Sequence, residues 1–144
     1  MRKPFKIVLG VLAMTCIMST VGQAVHANNH TDTPFDFEVD YCAGTDQMVD
    51  KPRRKMDNTA SYVKLTAKSD DAWPSFRGTN SSTNYTLGLD EETGSSSKLR
   101  AGNYRYISNS AYPKYKYTYL MLGSNDNRVR FIGRWSPDNI SGRY

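Results

Sequence analysis

The sequence predicts an all-β protein: a small antiparallel sandwich or barrel of about six to seven short strands after a leader. Three observations carry this. Apolar residues recur with period two in several short runs, and no stretch sustains a helical period. Connections rich in Gly, Ser, Asn and Asp separate those runs. Ten tyrosines, all beyond residue 27, suit a pleated, half-buried surface.

Residues 1–27 have the form of a secretory signal peptide. Arg2, Lys3 and Lys6 make a positive start, Ile7 to Met18 is apolar, and Val25-His26-Ala27 places small residues where a signal peptidase reads. The apolar run is too short to span ~30 Å of hydrocarbon, which takes ~20 helical residues. Cys16 as a lipid-attachment site lacks the small preceding residue, since Thr15 and Met14 stand there. The expected organisation is therefore a signal peptide over 1–27, a flexible lead over 28–34 and a single β domain over 35–144. The expected location is outside the cell, with no transmembrane anchor after cleavage.

Phe35 to Tyr41 alternates apolar and acidic residues and reads as a half-buried strand, with Phe35, Phe37, Val39 and Tyr41 inward. Ala43 to Thr59 is polar, carries Pro52 and reads as a loop. Ser61 to Lys68 gives a second strand, with Val63, Leu65 and Ala67 on one face. Trp73 to Arg77 gives a third, assigned to a sheet edge because Pro74 cannot donate to a ladder. Tyr85 to Leu89 is a short fourth strand and Asp90 to Ser97 an acidic loop. Asn103 to Ile107, Lys114 to Leu122 and Arg128 to Trp135 complete the set, the last two joined by the turn formers Gly123 to Asn127.

The formal charge of +5 includes three leader cations; without them 16 basic residues face 14 acidic ones. That balance gives no basis for nucleic-acid binding. Charge is segregated instead. Asn28 to Asp50 holds six acids and no Lys or Arg, whereas Lys51 to Lys68 holds six bases and one acid. Cys42 is the one cysteine beyond the leader, so no intrachain disulfide is expected there. It reads first as a small buried hydrophobe, with an intermolecular bridge or a reactive thiol as alternatives.

The chemistry points away from catalysis. His30 is the one histidine beyond the leader, and it sits in the flexible lead. A Ser-His-Asp or Cys-His arrangement needs a positioned imidazole, and zinc needs several His or Cys ligands. No phosphate loop or dinucleotide fingerprint is present. Asp70-Asp71 and Asp90-Glu91-Glu92 lack the alternating calcium pattern. The expectation is a non-enzymatic protein without metal or cofactor.

Alternation on the last strands places Tyr115, Tyr117, Tyr119 and Met121 inward beside Val129, Phe131 and Trp135. The opposite faces then carry Lys114, Lys116, Arg128, Arg130 and Arg134, with Arg105 on the preceding strand and Leu120, Leu122 and Ile132 among the charges. Arg105, Lys116, Arg128, Arg130 and Arg134 are the candidate binding residues. The face reads either as a dock for an anionic partner (a cell-wall polymer, a lipid headgroup or a surface protein) or as a solvated face partly neutralised by Asp36, Glu38 and Asp40. The tyrosines read as core, because an exposed stacking platform for sugars would bury Lys116 and Arg130 without partners.

Three segments are familiar together: Asp32-Thr33-Pro34-Phe35-Asp36-Phe37, Arg53-Arg54-Lys55 through Ser61-Tyr62-Val63-Lys64, and Gly133-Arg134-Trp135-Ser136-Pro137-Asp138. They resemble a family of small exported β-rich proteins of Gram-positive bacteria with no assigned function. The resemblance implies export and a compact β domain and brings no catalytic residues. Lactococcin-type bacteriocins are of similar size and also β-rich. They contribute only the idea that such a domain acts on a neighbouring cell's envelope. The expected function is thus a secreted, non-catalytic β domain that binds an anionic partner at the bacterial cell envelope, with a bacteriocin-like antagonist as the alternative.

Overall fold

The computed structural model describes residues 30–42, 44–83 and 90–139. The leader expected at 1–27 and the strand expected at Tyr85–Leu89 lie outside the described residues. Among the described residues nine strands follow in chain order: β1 (Thr33–Val39), β2 (Thr45–Met48), β3 (Arg53–Arg54), β4 (Ser61–Leu65), β5 (Trp73–Thr79), β6 (Glu91–Ser95), β7 (Tyr104–Ile107), β8 (Tyr117–Ser124) and β9 (Val129–Ser136). No helix occurs among the described residues. One sheet runs β1-β9-β4-β7; the other runs β2-β8-β5-β6, with β3 also on β8. Every pairing is antiparallel. The arrangement is a two-sheet sandwich, not a closed barrel.

Both sheets fill the core. Val63, Leu65, Phe131 and Trp135 come from the four-stranded sheet and meet Phe76, Leu120 and Leu122 from the other. The Phe76 and Trp135 rings lie 6.0 Å apart across the interface. Each such fully buried side chain stabilises the fold by about 1.5–3 kcal/mol relative to exposure. Cys42 is completely buried in the same cluster, as a small hydrophobe would be.

Several expectations are corrected. On β8 the core side chains are Leu120 and Leu122, while Tyr119 and Met121 point to the other face and are buried there too. Tyr119 stands opposite Arg77 and donates its hydroxyl to Asp90 Oδ2 at 2.9 Å. A strand buried on both faces reads as a continuous apolar run, so the tyrosine spacing carried no information about which face is inside. Tyr41 is exposed because β1 ends at Val39. Likewise β4 ends at Leu65, which leaves Ala67 exposed.

The position of Pro74 is also corrected: β5 lies between β8 and β6. The Pro74 carbonyl accepts the Ser96 N–H at 3.1 Å, just past the end of β6. Its ring nitrogen faces that same side, so no rung to β8 is lost. β2, β3 and β6 were read as loops. They are short pairings along β8 and β5, and β6 meets a register shift at Phe76/Arg77. Their Asp, Glu, Gly and Arg residues have little strand propensity of their own, so the neighbouring strand decides.

Candidate functional site

The predicted cationic residues do not form one surface. Arg105 is the register partner of Val63, which is itself opposite Trp135, so Arg105 lies on the inner side at the sheet edge. Its Nη1 donates to Ser96 Oγ and Ser97 Oγ, both at 2.6 Å. Lys116 precedes β8 in the other sheet, and its backbone N–H meets Asn80 Oδ1 at 3.1 Å. Arg128 precedes β9 and lies 3.7 Å from Asp40, with both side chains strongly exposed. Arg130 and Arg134 share the outer face of the four-stranded sheet, on either side of Ile132, and Arg128 lines a small hollow with Arg130 and Glu38 at the end of that face. Sheet order and register, which no local pattern specifies, separate Arg105 and Lys116 from the β9 cations.

The acids of β1 meet this face. Arg130 donates from Nε and Nη2 to the two carboxylate oxygens of Asp36, each at 2.9 Å, and lies 3.7 Å from Glu38. The Arg130 guanidinium holds the Asp36 carboxyl below its ordinary value of 3.8. Arg134 lies 3.6 Å from Asp32. The segregated acidic block of the N-terminal region therefore neutralises part of β9.

Rows of side chains cross the outer face at fixed register. Pro34, Arg134, Lys64 and Tyr104 form one row, and Ser136, Tyr62 and Tyr106 form the next. The rings of Tyr62, Tyr104 and Tyr106 cluster, with centroids 5.3–6.0 Å apart. Tyr104 is 56% exposed. Burial, reinforced by Asp32, pushes the Tyr62 hydroxyl above its ordinary value and keeps it neutral. Beside the tyrosines lies a depression of about 650 Å³, lined by Pro34, Phe35, Ile132 and Gly133 and edged by Asp32, Asp36, Lys64, Thr66 and Arg134. A second, smaller hollow of about 160 Å³ continues between Tyr62, Tyr106, Asp32 and Asn139.

The floor of the depression depends on Gly133. A Cβ there would run into the Lys64 carbonyl oxygen and the Phe35 ring. The missing side chain lets β9 and β4 approach and gives Phe35 its place. Aromatic faces, an apolar floor, two cations (Lys64 and Arg134) and two carboxylates (Asp32 and Asp36) thus lie close together on this face. Tyr62, Lys64 and Tyr104 were missed as site residues. Their signal was the alternation Tyr62-Val63-Lys64-Leu65, whose polar face is unusually aromatic and cationic. Among the described residues no group of three or more His, Cys, Asp or Glu side chains is placed to hold a metal ion.

Residues 23–139 match a family model described as a protein of unknown function (DUF2712). No curated protein and no solved structure matches the chain. The match spans most of the sequence, including the whole of both sheets, and the chain belongs to this DUF2712 family of unknown function.

Proposed function

We propose that this protein is a secreted, non-catalytic binding domain whose ligand is an anionic glycan polymer of the bacterial cell envelope. The ligand is held on the outer face of the four-stranded sheet. One observation carries this reading: Lys64 and Arg134 are direct register partners on adjacent strands. Like charges placed opposite one another in a sheet are destabilising. Asp32 relieves Arg134, but among the described residues no carboxylate lies within ion-pairing distance of Lys64. A sheet that keeps such a pair beside three clustered tyrosines supports a role for it in meeting an external anion. Phosphate or carboxylate groups would sit between Lys64 and Arg134, and sugar rings would lie on Tyr104, Tyr62 and the apolar floor.

The reading revises the candidate residues. Arg134 keeps its role, joined by Lys64, Tyr62 and Tyr104. Arg105 and Lys116 lie elsewhere, Arg128 lies at the far end of the face beside Asp40, and Arg130 is engaged by Asp36 and Glu38. Export follows the leader proposed for residues 1–27.

The test is co-sedimentation of purified 28–144 with Gram-positive cell walls, with and without their anionic polymers, at low and high salt. Expected is binding that needs the anionic polymer and weakens between ~0.1 M and 1 M salt, as the screening length falls from ~10 Å to 3 Å. It should also be reduced by K64E and by Y104A. Binding that ignores salt and both substitutions would overturn this face as the site. Growth inhibition of related strains without wall binding would favour the antagonist reading instead.

A further inference from the structure

Lys55 and Asp138 form a pair whose side chains are both wholly buried, with Nζ 2.6 Å from Oδ1. Exchanging a buried ion pair for apolar side chains of similar size is often neutral or stabilising, so its retention is not explained by stability alone. The surroundings fix both partners. Lys55 N–H bonds the Lys116 carbonyl at 3.0 Å, and Nζ also donates to the Thr59 carbonyl at 2.5 Å. Asp138 Oδ2 accepts the Met56 N–H at 3.0 Å. On either side, the Pro137 carbonyl accepts from Ser61 Oγ at 2.7 Å, and Asn139 donates to Thr59 Oγ1 and to the Ala60 carbonyl. A second carboxylate, Asp57, lies 3.8 Å from the same Nζ and is anchored by the Thr59 N–H.

From this geometry we infer that Lys55 and Asp138 join covalently, through an amide between Nζ and Cγ, and that Asp57 moves the proton the reaction requires. The ion pair first passes one proton from Nζ to the Asp138 carboxylate, leaving an amine and a carboxylic acid. The amine lone pair attacks Cγ, and an N–C bond forms. Asp57 takes a proton from the attached nitrogen and returns it to the hydroxyl oxygen. The C–O bond then breaks and one water leaves. Nothing is oxidised or reduced, and no co-reactant is needed.

Holding two groups in reacting geometry gives effective concentrations of about 10⁵–10⁸ M. The closed site also keeps bulk water from reversing the step. The link would tie the segment after β3 to the segment after β9, the role a disulfide plays elsewhere.

Mass spectrometry of the purified full-length or processed protein tests this. Expected is an intact mass lower by one water, and a branched peptide after proteolysis that joins Lys55 to Asp138. K55R and D138A should have the full mass of their sequences. D57A retains both joining residues and should cross-link roughly 100-fold more slowly. A wild-type protein of full mass, with Lys55 open to amine reagents once unfolded, would overturn the inference. So would a water loss mapped to Asp138 and its own backbone with Lys55 unmodified.

Discussion

Arg130 reaches diagonally past its register partner Glu38 to grip both carboxylate oxygens of Asp36, two residues further back along β1. The contact joins β1 to β9 and is one of three carboxylate contacts that bear on the acid-side behaviour of the fold. Hydrogen bonding to Arg130 is the main reason the Asp36 carboxyl titrates below its ordinary value. Backbone bonding from Ala101 does the same for Asp71, and Lys114 for Glu91. A lowered value means that the folded state favours the charged form. Their stability contribution is present above the ordinary range of 3.8–4.5 and is lost as pH falls through the folded values. Urea unfolding from pH 7 to pH 2 should show D36N less stable than wild type at pH 7. The two should converge in acid; a constant gap would contradict the assignment.

The alkaline side has the opposite sign. Glu91 accepts from both Lys114 and the Tyr115 hydroxyl, which raises the values of both donors. Their contribution is complete below the ordinary 10.0–10.5 and is lost as pH rises through the folded values. E91Q should flatten the alkaline slope of stability, read by the same unfolding series.

Removing one member of the buried Lys55–Asp138 pair leaves the other without its partner. D138A should cost at least about 3 kcal/mol in urea unfolding. K55M/D138L, which removes both charges, should recover part of that loss.

Gly133 has no room for a methyl group. G133A forces β4 and β9 apart or displaces Phe35, at a cost of about 1–3 kcal/mol. A thermal melt reads the loss. If the depression is the binding site, wall binding should weaken together with it.

Arg134 and Arg128 separate the binding face from the rest of the basic surface. R134E should weaken wall binding about tenfold or more, the scale of one lost charge-assisted bond. R128E, just before β9 and paired with Asp40, should leave it unchanged. Equal effects would indicate a diffuse charge response instead of a site.

Cys42 is fully buried, and desolvation raises its thiol above the ordinary 9.0. Iodoacetamide should label it slowly in the native protein and rapidly in denaturant. Fast native labelling would contradict its place in the core.

The alternation in β1 was legible because one face is wet and the other dry, and the same holds for Val129, Phe131 and Trp135 on β9. That acids of β1 would offset cations of β9 was also legible, since both blocks stand out by charge. Arg105 was not. Its side of the sheet is set by pairing with Val63, some forty residues earlier in the chain, and a shift of one residue would have put it with Tyr104. Leu120 and Leu122 were misplaced for a related reason, as a doubly buried strand has no polar face to mark its outside.

By itself the sequence determined an all-β chain with one wet and one dry face on its outer strands. Period-two alternation is a local consequence of pleating and burial, and it needs no knowledge of neighbours. Tertiary structure alone decided which cations meet, which tyrosines cluster and which lysine is buried against Asp138. Each of these depends on strands brought together from distant parts of the chain, and on a register fixed by the whole core rather than by any one segment.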